Sequence, residues 1–189
     1  MLILVINFGK VVVVLLLIFI IVFALLNHRT ILKFVYPIKY EEIIVREAKK
    51  YNLDPYLVIS IIYVESKFDL EATSNKGARG LMQIMPETGK WIAEMINVSD
   101  FHSDMLYNPE INIKYGTWYI AKLKNRFNDN IAVMLAAYNG GEGNVDKWLK
   151  NRDWDGSHAN LDQIPFLETR EYVHKVKKIY SRYRYIYER

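Results

Sequence analysis

Apolar residues recur along most of this chain at helical rather than alternating spacing. At Asp54-Pro55 a capping side chain precedes a proline suited to the first helical turn. Leu57, Val58, Ile61, Ile62 and Glu65 then fall at helical intervals, which predicts a mostly apolar helix ending near Glu65. Residues 41–50, with Ile43, Ile44, Val45, Glu47 and Ala48, predict an earlier helix with acidic residues at its start. Pro86 opens another over 86–95, where Gly89 lowers the propensity. Asn108-Pro109-Glu110 begins a long helix with Ile113, Gly116, Ile120, Leu123 and Phe127 on one stripe, widened by Tyr115, Trp118 and Tyr119. Residues 130–138 are compact and apolar, with Ala132, Ala136 and Ala137 allowing close helix approach, and Asn139-Gly140-Gly141 ends them. A short helix over 143–149 and a polar loop over 151–160 follow. The last helix runs from 166 to about 183, with Tyr172, Val176, Ile179 and Tyr183 on one face. No segment alternates as a strand would, so the fold class is all-α.

The N-terminal pattern is different in kind. Residues 11–26 are sixteen consecutive apolar residues, preceded by Lys10 and a further apolar stretch. That is length enough to cross a bilayer if Lys10 snorkels. A cleaved signal peptide has a similar layout, but the exit Ala24-Leu25-Leu26-Asn27-His28-Arg29 offers no small-x-small site. Residues 1–30 therefore read as an uncleaved transmembrane signal anchor, 31–40 as a stalk with Pro37 stopping the helix, and 41–189 as the folded domain.

Composition narrows the functions this organisation can serve. The chain has no cysteine, so disulfides and thiolate metal sites are excluded. Its formal charge of +4 is uneven: removing Lys10, Arg29 and Lys33 leaves 22 basic against 21 acidic residues. A nearly neutral body argues against nucleic acid as a partner. His102 and Asp104 sit in the irregular stretch 97–108 without a third ligand at metal-binding spacing, which favours a solvated loop.

Glu65 is the carboxylate that stands out. It falls at the C-terminal end of an apolar helix, where burial and the helix dipole both disfavour its charge. Both effects keep a carboxyl protonated near neutral pH, as a general acid requires. By position alone, a residue capping the wet end of the helix fits equally well. After it, Gly77 and Gly80 among small polar residues predict a tight, folded-back loop before Leu81-Met82-Gln83-Ile84-Met85.

Four segments carry a resemblance that separates these readings. They are Glu65-Ser66-Lys67-Phe68, Gly77-Ala78-Arg79-Gly80-Leu81-Met82-Gln83-Ile84-Met85-Pro86, Ala136-Ala137-Tyr138-Asn139-Gly140-Gly141 and Ile164-Pro165-Phe166-Leu167-Glu168-Thr169-Arg170-Glu171-Tyr172-Val173. In this order they resemble the soluble lytic transglycosylase (SLT) family over roughly residues 40 to 185. The resemblance implies a lysozyme-like, goose-type helical domain with an active-site cleft, acting on the glycan strands of peptidoglycan without a cofactor or metal. It implies Glu65 as the catalytic residue, protonating the MurNAc–GlcNAc bridging oxygen and then acting as base while the muramoyl C6 hydroxyl closes on C1. It further implies that Ser74 binds near the acetamido group and that Gln83 and Met85 line the cleft. Tyr138 would orient the carboxyl, Asn139 bind sugar, Tyr172 lie close to Glu65, and Glu168 hold the cleft wall by bonding backbone groups.

One departure is Gly141, where the family often has alanine. Two alternatives stand beside the lytic reading. A hydrolytic muramidase needs a second carboxylate to activate water, for which Asp69, Glu71 or Asp100 are the nominees. A non-catalytic glycan-binding protein would have no use for a carboxyl in apolar surroundings. The resemblance also implies a catalytic domain on the wall side of the cell membrane.

Overall fold

The structure is a computed structural model and describes residues 8–188. The first seven residues of the expected anchor, and residue 189, lie outside the described residues. The chain divides into two units, residues 1–38 and 39–189.

In the first unit, α1 (Phe8–Leu26) is a helix of 19 residues with mean hydropathy 3.1 and no buried side chain. A single non-helical residue, Asn27, separates it from α2 (His28–Val35). Much of the segment read as a stalk is therefore helical, up to two residues before Pro37.

The second unit contains α3 (Glu41–Lys50), α4 (Pro55–Ser66), α5 (Pro86–Met95), α6 (Pro109–Arg126), α7 (Ile131–Gly140), α8 (Glu142–Asn151) and α9 (Leu167–Tyr187). Short 3-10 turns occupy Ser103–Tyr107 and Leu161–Gln163. Only isolated bridges, Thr73 with Arg79 and Arg79 with Ile84, occur among the described residues, so the domain is all-α.

Among the described residues three helices begin on a side-chain cap, of which the sequence pattern predicts Asp54. Asp54 Oδ1 accepts from the Tyr56 amide (2.8 Å), Asn108 Oδ1 from Glu110 (2.9 Å) and Asn130 Oδ1 from Ala132 (3.1 Å). Each satisfies an amide that the first helical turn leaves without a partner.

α4 is the central element and packs against α9, which also carries α7. Leu57 to Ile62 are consecutively buried, Ser60 included, so α4 is enclosed on all sides rather than along the predicted stripe. Ser60 is tolerated there because its hydroxyl donates to the Tyr56 carbonyl (2.5 Å). Tyr180 of α9 donates to Asp54 Oδ2 (2.5 Å) and ties the two helices near the start of α4.

Two helix ends and one loop differ from the sequence pattern. α9 continues to Tyr187 because Tyr183 and Ile186 remain buried, whereas Ile179 is only partly so. α6 ends at Arg126, and Phe127 follows as its cap. Trp154, within the segment read as a polar loop, is completely buried. A loop of polar composition can still be pinned by one large aromatic side chain.

Candidate active site

Glu65 occupies the penultimate position of α4, where the chain turns sharply. Lys67 and Phe68 both adopt left-handed backbone angles (φ 52° and 66°), each costing about 1–2 kcal/mol for a residue with a Cβ. Burial of Phe68 and a hydrogen bond from Ser66 Oγ to the Leu81 carbonyl (2.8 Å) hold this turn. The strain aims the end of α4 into a cavity of about 560 Å³.

The loop opposite is built largely from its own backbone. Ser74 Oγ accepts from the amides of Ala78 (3.0 Å) and Lys76 (3.3 Å), and Gln83 Nε2 donates to the Ala72 (3.0 Å) and Gly80 (2.9 Å) carbonyls. Asn112, completely buried on α6, accepts from the Met82 amide (2.8 Å) and donates to the carbonyls of Arg79 (3.0 Å) and Leu106 (2.7 Å). Gly80 has φ +70°, and a Cβ there would lie 2.2 Å from the Leu106 carbonyl oxygen and 2.5 Å from Asn112 Nδ2. Only glycine lets the loop approach this anchor.

Of the sequence-predicted residues, Glu65, Ser74, Gln83, Met85, Tyr138, Asn139 and Glu168 line the cavity together. Tyr172 lies behind them, completing the wall around Glu65. Burial pushes the Glu65 carboxyl up to about 7; a hydrogen-bonding influence of Tyr172 opposes this, and the charge of Glu168 adds to it. The Tyr172 hydroxyl is buried and makes no hydrogen bond of standard length and angle, yet stands close enough to favour the ionised carboxylate. Burial, with Glu65 nearby, holds the hydroxyls of Tyr138 and Tyr172 well above the usual tyrosine range.

Two expected roles change. The Tyr138 hydroxyl donates to the Met82 carbonyl (2.8 Å), so it braces the loop rather than bonding Glu65. Glu168 bonds no backbone group; it is 74% exposed and pairs with Lys76 Nζ at 3.4 Å. Glu168 nevertheless lines one cavity with Glu65. Its position in the first turn of α9 welcomes negative charge, and the turn projects it to that side. None of the nominated water-activating carboxylates lines this cavity. Asp69 and Glu71 border a separate depression with Lys67 and Leu70, and Asp100 is exposed elsewhere.

Pattern reading missed Asn112 and Lys76. Asn112 was detectable as a polar residue beside Ile113 on the apolar stripe of α6; nothing marked Lys76 among the solvent-facing lysines. Beyond Lys76 and Glu168 a second cavity of about 650 Å³ continues along Asn139, Asn144, Pro165, Phe166 and Thr169. The open groove with one largely buried carboxyl has the form of a site for a linear polymer and proton transfer within it.

These features define a class, and the comparisons agree. The family model described as "Transglycosylase SLT domain" matches residues 42–160, and the chain belongs to that family. The chain is similar to the soluble lytic murein transglycosylase of Escherichia coli, with 34% identity over 152 residues, 79% of this chain and 24% of the relative. It is 32% identical over 173 residues to the membrane-bound lytic murein transglycosylase C of Actinobacillus pleuropneumoniae, covering 78% of this chain and 46% of the relative. The solved 70 kDa soluble lytic transglycosylase of Escherichia coli superposes with a TM-score of 0.77 at 32% identity, over 83% of this chain and 26% of that one. An inactive glutamate-to-glutamine mutant of the Pseudomonas aeruginosa enzyme Slt gives 0.73 at 34% identity, over 82% and 25%. The chain thus spans between a quarter and a half of the length of these relatives.

Proposed function

We propose that this protein is a membrane-anchored peptidoglycan lytic transglycosylase. The observation that carries the reading is Glu65, a carboxyl raised to about 7 by burial at the wall of an open polar groove. Near neutral pH a large fraction carries the proton that a general acid must deliver. Glu65 gives that proton to the bridging oxygen between N-acetylmuramic acid and N-acetylglucosamine, and the C1–O bond breaks. The muramoyl C6 oxygen bonds to C1, and its proton returns to Glu65. The products are a free 4-hydroxyl and a 1,6-anhydromuramoyl end, with no water consumed. The internal hydroxyl supplies the proximity that a water-activating carboxylate would otherwise provide. Tyr172 and Tyr138 exclude solvent around the carboxyl, and Asn139 and Ser74 offer polar atoms to the sugar.

Glu168 is the observation that favours a second reading, a hydrolytic muramidase, because it shares the cavity. Its ion pair with Lys76 and its solvent exposure argue against it as a dedicated base for one held water. Digestion of purified glycan strands in ¹⁸O-water, read by mass spectrometry, separates the two. Anhydromuramoyl ends without label are expected; label in most new muramoyl ends would make the protein a hydrolase.

The anchor reading assigns α1 as a single membrane span, with the catalytic domain on the wall side where the glycan lies. Full-length protein should resist a high-salt wash and leave membranes only with detergent, whereas a chain beginning near Tyr40 should be soluble and active. Release by salt alone would remove the span.

A further inference from the structure

The helix that follows the span has no role in either reading. α1, at about 1.5 Å per residue, is roughly 28 Å long, close to the hydrocarbon thickness of a bilayer. On the anchor reading, α2 directly follows the span. The joint between them is hydrogen-bonded along the chain: the Asn27 amide donates to the Phe23 carbonyl (3.0 Å), and the Asn27 carbonyl accepts from Ile31 (3.0 Å). Asn27 Nδ2 also donates to Phe23 O (2.9 Å) and His28 Nδ1 to Leu25 O (2.9 Å), so two of the last carbonyls of α1 find partners within the chain.

At about 100° per residue, Ile31, Leu32, Phe34 and Val35 occupy one arc of α2, and Arg29, Thr30 and Lys33 the opposite one. His28 falls towards the apolar arc but is engaged at the joint. Three of the four apolar side chains are exposed, Phe34 at 83%, Val35 at 57% and Ile31 at 42%; Leu32 is partly covered, and no residue of α2 is buried. An eight-residue helix is marginal in water, and one with three large uncovered apolar residues needs a surface to lie on.

We infer that α2 is an interfacial helix: Ile31, Leu32, Phe34 and Val35 seat in the acyl boundary of the bilayer while Arg29 and Lys33 face anionic headgroups. The inference rests on the anchor reading, since the bilayer is the surface with which α1 makes α2 continuous. A basic polar face opposite an aliphatic and aromatic one is the pattern that binds lipid surfaces in the plane. Tyr36, directly after α2, is the amphipathic aromatic expected at headgroup level, and Pro37 stops the helix there.

The absence of cysteine makes a direct test available, because each introduced thiol is unique. Arg29→Cys, Thr30→Cys, Ile31→Cys, Lys33→Cys, Phe34→Cys and Val35→Cys in full-length protein would each carry a nitroxide in nanodiscs of phosphatidylcholine and phosphatidylglycerol. Collision with oxygen, which partitions into lipid, is compared with collision with a water-soluble nickel chelate. The expected result is a helical oscillation: positions 31, 34 and 35 favour oxygen several-fold over positions 29, 30 and 33. Phe19→Cys, mid-span, reads the anchor independently. If position 19 reports lipid but all six positions report water, or 31, 34 and 35 are shielded from both probes by protein, the interfacial helix is overturned and the anchor stands. Oxygen preference at all six positions overturns it too, as α2 would then continue the span. Water contact at position 19 overturns the anchor itself and the inference with it.

Discussion

Glu65 and Glu168 are the same residue type at the same cavity, yet their surroundings oppose one another. Glu65 stands at the C-terminal end of α4, walled by Tyr138 and Tyr172, and its carboxyl is raised to about 7. Glu168 stands in the first turn of α9, largely in solvent, beside the Lys76 ammonium. The helix dipole disfavours charge at the first position and favours it at the second. Solvent access acts in the same sense, and water screens the Lys76–Glu168 pair until it contributes little to stability. One cleft thereby holds a largely buried carboxyl and a solvent-facing one, and the difference comes from helix ends and burial rather than from residue type.

The comparison is broken most severely at Glu65. Glu65→Gln keeps the shape and removes the titrating proton, so turnover on glycan strands should fall at least about 10²- to 10⁴-fold while glycan binding persists. Glu168→Gln should keep turnover within a few-fold. Comparable losses in the two variants, in a steady-state product assay, would show that both carboxyls carry the chemistry.

Stability gives the next largest effect. A carboxyl at about 7 when folded and 4.5 when unfolded binds more protons in the folded state between those values, so its contribution falls as pH rises through that window. At about 1.4 kcal/mol per pH unit the loss is on the order of 3 kcal/mol by pH 8. Glu65→Gln, which cannot ionise, should gain stability relative to the native chain across the same window. Urea unfolding of both proteins in detergent between pH 4 and pH 8 measures the difference; parallel curves would mean that Glu65 is not desolvated.

The smallest effects sharpen the comparison by their signs. Activity should decline as pH rises through about 7, where Glu65 loses its proton. Tyr172→Phe removes the influence that favours the carboxylate, so this limb should move to higher pH. Glu168→Gln removes a neighbouring negative charge, so it should move to lower pH, and less so at high salt. Shifts in one common direction would contradict the electrostatics of the site.

The all-α class, the helix starts at Asp54, Asn108 and Asn130, the long apolar run and the candidacy of Glu65 were legible along the chain. These are local matters: a cap needs an oxygen two or three residues from the amide it serves, and periodicity lies within one helix. Tertiary structure decided the rest. It enclosed α4 on every side, buried Trp154 inside a polar loop, and assigned Asn112 to the Met82 amide thirty residues earlier. It also brought Glu168, 103 residues after Glu65, into the same cavity and gave it Lys76 instead of a backbone partner. Spacing cannot reveal such pairings, because solvent exclusion and charge proximity depend on what the rest of the fold places alongside, and that is set by packing between elements far apart in the chain.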